Sequence, residues 1–185
     1  MARIIAGIGS RKTPPEILLQ MEELGALCRE LGVWVRSGHA PGADYAFEKG
    51  ALDKALVYLP FPNFNSQNKL LTKQVVSLPP AEGKNWRKGP DTSAVMRAYH
   101  TIITLFKEKF IDGMDRQHYY ASYFAVFGSS GADIPVDAVV CWAPVDGYGM
   151  AKGGTGQAVR IANAAGIPVF NLFKTDVGEV EEFLR

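Results

Sequence analysis

The chain has 185 residues, of which 47% are hydrophobic and 21% charged, and it carries a formal net charge of +1. That is enough apolar material for a sizeable core, and the length fits one domain carrying an insertion. The near-neutral balance excludes a strongly basic nucleic-acid surface by bulk charge and leaves room only for a local Lys/Arg stripe.

Taken in chain order, Arg3 to Gly9 reads as a short buried strand that ends in Gly9-Ser10-Arg11. Thr13-Pro14-Pro15-Glu16 then marks a helix start, and apolar residues at three- and four-residue spacing (Ile17, Leu18, Met21, Leu24, Leu27, Cys28, Leu31) continue it to Gly32. Val33 to Arg36 is a second strand, followed by the small-residue turn Ser37-Gly38-His39-Ala40-Pro41-Gly42-Ala43-Asp44 and a helix to about Leu52. Leu56 to Leu59 is a third strand, stopped by Pro60 and Pro62. Residues from about 61 to 135 break this alternation and read as an insertion, helical from roughly Thr92 to Phe127. Its aromatic residues Tyr119, Tyr120, Tyr123, Phe124 and Phe127 lie at helical spacing, which favours core packing over a base-stacking platform. The alternation resumes with a fourth strand, Ala138 to Trp142, then Gly153-Gly154-Thr155-Gly156-Gln157, a helix from about Thr155 to Ala165, a fifth strand within 166 to 171, and a last helix from Asp176.

Alternating strands and helices imply an α/β fold, a Rossmann-like three-layer sandwich around a mostly parallel sheet, with strand order 3-2-1-4-5 expected. In that order strands one and four are neighbours whose connections leave in opposite directions, and the crevice at their C-terminal ends is the default ligand site.

Three small-residue turns end strands at that edge, and together they suggest one nucleotide site. Glycines let the backbone approach a ligand, and a helix N-terminus faces an anion with free N–H groups and a positive dipole end. The candidate ligand-binding residues are therefore Gly9, Ser10 and Arg11, then Ser37, Gly38 and His39, then Gly153, Gly154, Thr155, Gly156 and Gln157. Arg11 suits bidentate pairing with a phosphate, and Lys12 beside it fits the same electropositive mouth. Ser10 and Ser37 suit either ligand contact or capping.

The glycine stretch is not a P-loop, because no Gly-Lys-Ser/Thr follows it, and Val159 stands where the dinucleotide fingerprint needs a small residue. Asp44 and Glu48, four apart on the second helix, place two carboxylates on one face and are the candidate catalytic pair. Such acids suit binding of ribose hydroxyls or support of N-glycosidic cleavage; acids near a helix N-terminus are also favoured by the dipole alone. His39, His100 and His118 have no metal-ligand spacing with one another or with Cys28 and Cys141, so neither a metal nor a cofactor is expected. The two cysteines read as core hydrophobes in a reducing compartment. The apolar run from Ile4 is too short for a signal peptide, and no run of about 18 apolar residues occurs, so a cytoplasmic protein with no membrane partner is expected.

These turns in this order, with Ala46-Phe47-Glu48 after the second and Trp142-Ala143-Pro144 before the third, resemble the SLOG superfamily of Rossmann-like proteins. That group includes the DNA-processing DprA proteins and the Lonely Guy nucleotide phosphoribohydrolases, and the chain looks closest to small DprA-like proteins often carried by bacteriophages. The resemblance covers about residues 3 to 58 and 136 to 172. It implies a nucleotide or nucleotide-derived ligand and a homo-oligomer, commonly two-fold. Three activities fit it: hydrolysis of the N-glycosidic bond of a nucleoside monophosphate or related nucleotide, non-catalytic sensing or sequestration of a nucleotide signal such as an ADP-ribose derivative, and single-stranded DNA binding in recombination. Arg160 stands where Lonely Guy enzymes carry a catalytic glutamate, and Pro41 lies near the place of a DprA arginine. The DNA-binding reading needs Lys69, Lys73, Lys84, Arg87 and Lys88 to form a basic stripe.

Overall fold

The computed structural model describes residues 3–77, 121–128 and 134–185. Strands β1 (Ile4–Gly9), β2 (Trp34–Ser37), β3 (Ala55–Leu59), β4 (Val75–Ser77), β5 (Ala138–Trp142) and β6 (Val169–Asn171) form one sheet in the order β4-β3-β2-β1-β5-β6. Every pairing is parallel. The fold is Rossmann-like, and the expected order survives as its β3-β2-β1-β5-β6 portion. The additional strand, β4, lies inside the stretch assigned to the insertion. Three residues are too few to give an apolar-run signal, and β4 is held in place by its pairing with β3 and by the Thr72 hydroxyl donating to the Ala55 carbonyl at 2.9 Å.

Helices α1 (Pro15–Glu30) and α2 (Ala43–Ala51) cover one face of the sheet, joined by the C-terminal helix Val177–Leu184, here α5. A helical segment over residues 121–127 (α3) and the helix Gly153–Ala164 (α4) cover the other. Side-chain alternation along β5 decides what each core contains: Ala138, Val140 and Trp142 face α1 and α2, while Val139 and Cys141 face α3 and α4. Cys28 lies in the first core and Cys141 in the second, both free, with burial pushing each thiol up to about 12. They are inert packing groups.

Three glycines allow close approach between elements. A Cβ on Gly50 would sit 1.9 Å from the Glu22 carbonyl oxygen, and one on Gly25 would sit 2.5 Å from that of Phe47, so α1 and α2 cross backbone to backbone. A Cβ on Gly7 would enter the Phe47 ring. Leu31, included in the α1 apolar stripe, caps the helix and is exposed. Of the aromatic cluster, Tyr123 and Phe124 are buried and Phe127 packs against the same core; Tyr119 and Tyr120 lie outside the described residues. Among the described residues no helix is long and apolar enough to cross a membrane.

Candidate nucleotide site

A cleft of about 430 Å³ opens at the C-terminal edge of β1 and β5, the place where strand order reverses. Its floor is Ile8, Gly9 and Ser10 at the end of β1. Arg11 and Lys12 from the first turn line it, as do Lys152, Gly153, Gly154, Thr155, Gln157 and Ala158 from the start of α4. Gly38, Ala40 and Asp44 come from the second turn, Pro60 and Phe64 from the segment after β3, and Ala121, Ser122 and Ala125 from α3.

The first turn leaves β1 as Ser10 donates its N–H to the Trp142 carbonyl at 2.9 Å, which ties the two switch-point strands together. The Ser10 hydroxyl accepts from Lys12 N at 3.1 Å, and Thr13 Oγ1 donates to the Ser10 carbonyl at 2.6 Å. Ser10 therefore shapes the turn as well as lining the cleft. Gly42 passes directly over this turn. Its φ is 92°, and a Cβ there would meet the Ser10 carbonyl at 3.2 Å and the Arg11 Cα at 3.3 Å. Both the conformation and the close approach demand glycine.

Asp44 links two strand ends. Its Oδ1 accepts from Gly9 N at 3.0 Å and its Oδ2 from Gly38 N at 2.9 Å. Burial pushes its carboxyl up from 3.8 to about 7, against the backbone N–H groups of Gly38, Gly9 and Ala40, which lower it; the charge of Glu48 adds to the rise. Asp44 is 5% exposed and borders the cleft, and each of its oxygens has acceptor capacity beyond one backbone bond.

Glu48 is placed differently. The four-residue spacing does put it on the face of α2 that carries Asp44, but that face meets the second turn. Glu48 is 1% exposed and absent from the cleft lining. Its Oε1 accepts from the Ser37 hydroxyl and its Oε2 lies 2.6 Å from His39 Nδ1. Ser37 and His39, expected at the ligand, are likewise buried behind the cleft. His39 sits at φ 59°, and its N–H donates to Ser37 Oγ at 3.1 Å. Burial acts to lower the His39 pKa, yet the hydrogen bond and charge of Glu48, with smaller help from the Asn68 carbonyl and Asp44, hold it above its ordinary value.

At the third turn the structure corrects the boundary. The helix begins at Gly153 rather than Thr155, with Lys152 as the N-cap residue, and Gly153 enters it at a left-handed φ of 69°. Val145 and Ala151 form an antiparallel bridge, and Lys152 N donates to the Pro144 carbonyl at 3.0 Å, so the chain doubles back before α4 begins. Gly153 and Gly154 have open space where a Cβ would be, whereas a Cβ on Gly156 would sit 2.1 Å from the Ala151 carbonyl oxygen. Gly156 is thus a packing residue, and Gly153, Gly154, Thr155 and Gln157 face the cleft.

Lys152, Pro60, Phe64 and the α3 residues were missed by the sequence reading. Lys152 had a signal, a cation one residue before the glycines at a helix start; Phe64 had none, since its place depends on how the chain returns after β3. Lys69 and Lys73 of the basic stripe are exposed, while Lys84, Arg87, Lys88, His100 and His118 lie outside the described residues. Among the described residues there is no group of three His, Cys, Asp or Glu side chains capable of holding a metal ion.

No family model matches the chain, and no curated protein matches it. Among solved structures it is similar to DNA processing protein A from Helicobacter pylori, described for its single-stranded DNA binding mode, with a TM-score of 0.59 and 16% identity over 98% of this chain and 73% of that one. At that identity the likeness is one of fold.

Proposed function

We propose that this chain is a nucleotide-binding protein of the SLOG type, akin to the small DprA-like proteins of bacteriophages and acting as a homo-oligomer. The observation that carries the reading is convergence on one cleft: Arg11, Lys12 and Lys152 border it together with the start of α4, and so does one buried carboxylate, Asp44. The cations and helix N-terminus suit a phosphate, and Asp44 suits the hydroxyls of a ribose. N-glycosidic hydrolysis, if it occurs, falls to Asp44 alone, because both oxygens of Glu48 are already engaged away from the cleft.

Native mass spectrometry with nucleoside monophosphates, ADP-ribose and their phosphate-free nucleosides tests this. Phosphate-dependent retention is expected. Equal retention of the nucleosides, or none of either, overturns the reading; loss of the base from a retained ligand identifies a hydrolase, and an intact ligand a sensor or binder.

The second reading takes the nucleotide as one unit of a single strand, favoured by the fold likeness to a DNA-binding protein over nearly the whole chain. Its mark is an oligonucleotide affinity that falls steeply with salt.

A further inference from the structure

Both ring nitrogens of His39 meet acceptors. Nδ1 lies 2.6 Å from Glu48 Oε2, and Nε2 lies 3.4 Å from the backbone carbonyl oxygen of Asn68. A carbonyl oxygen accepts only, so the second contact is a hydrogen bond only when Nε2 carries a proton. Glu48 Oε1 already accepts from the Ser37 hydroxyl, and Ser37 Oγ accepts from the His39 backbone N–H. Wherever the proton between Nδ1 and Oε2 resides, the docked arrangement needs one proton there and another on Nε2. Loss of one proton from the pair leaves Nδ1–H donating to a carboxylate and turns the Nε2 lone pair toward the Asn68 oxygen.

The segment so held is a wall of the cleft. Asn65 Nδ2 donates to the His39 carbonyl at 2.8 Å, and Asn68 Nδ2 donates to Asn65 Oδ1 at 3.1 Å. Phe64, adjacent to Asn65, lines the cleft with Pro60, and its ring packs edge-on against Phe61 at 5.2 Å. We infer that His39 is a positioning residue, whose Nε2 proton docks the 61–68 segment and so sets the Phe64 wall against which the ligand is held. The docking holds whatever the ligand is; its consequence for binding rests on the nucleotide reading above.

The groups that act on the ring are Glu48, Asp44 and the Tyr45 ring, edge-on at 5.7 Å, all from α2, and the neutral Asn68 carbonyl from the docked segment; Ser37 and Asn65 hold the His39 backbone instead. Two acids beside the ring favour its protonated form, and release of the segment is accordingly expected above the ordinary 6.5 of a histidine. Asp44 titrates in a neighbouring range, so the measurement must resolve the ring itself.

The test pairs ring-nitrogen NMR of His39 with amide hydrogen exchange of residues 61–68, corrected for intrinsic rate, between about pH 6 and pH 9. Wild type should show a protonated Nε2 at the acid end and lose segment protection, by about tenfold or more, as that proton leaves. Glu48→Gln is the discriminating variant. Its side-chain amide donates to Nδ1, so a neutral ring keeps its proton on Nε2, and the segment should stay protected across the whole range. A bare Nε2 at the acid end, protection that ignores the ring's titration, or a Glu48→Gln protein loosened at every pH overturns the inference. Titration of the nucleoside monophosphates and ADP-ribose in the same samples separates the two readings: binding of none of them removes the nucleotide reading while ring and segment still decide the role of His39.

Discussion

The second turn and the start of α4 meet at the same cleft and are built in opposite ways. Around the second turn every polar side chain is engaged: Asp44 on two backbone N–H groups, Glu48 on Ser37 and His39, Asn65 on the His39 carbonyl. At the start of α4, Lys152, Gly153 and Gly154 are exposed, with open space around both glycines. One region spends its chemistry on its own shape, with only Asp44 also bordering the cleft, and the other presents it outward. A motif rich in acids and histidine is thus not by itself the place where a ligand is handled. Once buried, such groups find partners within the fold, because an unpaired buried charge is costly.

Substitutions should separate the two regions. The largest effect is expected for Glu48→Ala, which strands Ser37 and His39 in the interior and should lower unfolding free energy in urea by about 3–5 kcal/mol. An effect under about 1 kcal/mol would mean that the second turn is not wired as described. Asp44 gives the next test. Its carboxyl is raised in the folded state, so folding takes up protons, and its contribution is fully present below the unfolded value of 3.8 and lost as pH rises through about 7. That contribution should decline toward neutrality with a slope of at most about 1.4 kcal/mol per pH unit, and the slope should vanish in Asp44→Asn.

Gly156→Ala and Gly154→Ala, two positions apart, sharpen the contrast. The first drives a methyl into the Ala151 carbonyl and should cost about 1–3 kcal/mol in denaturant unfolding. The second enters open space and should change stability by less than about 0.5 kcal/mol while weakening nucleotide retention. Arg11→Ala should also leave the unfolding midpoint unchanged, and should reduce affinity for a nucleoside monophosphate about tenfold. Equal stability losses at Gly154 and Gly156 would erase the distinction between an open site and a packed one.

Much of the fold was legible because its signals are local. Strand β5 was read with its observed bounds, α2 and α5 within a residue or two, and the switch point followed from the order of elements. The candidate residues were gathered at one sheet edge for the same reason, since each followed a strand. Their division into those at the cleft and those behind it was not legible. Nothing in the spacing of Ser37, His39 and Glu48 distinguishes a turn that binds a ligand from one that binds itself.

The sequence alone determined that strands and helices alternate, that glycine-rich turns close the strands, and that the chain can bury a sizeable core, because periodicity and turn chemistry act over a few residues. The tertiary structure decided that β4 joins the sheet, that Asn65 and Asn68 reach His39, and that Phe64 and α3 wall the cleft. Those outcomes depend on how segments far apart in the chain share buried volume and satisfy one another's polar groups. A pattern read along one segment holds no record of the partner that arrives from another.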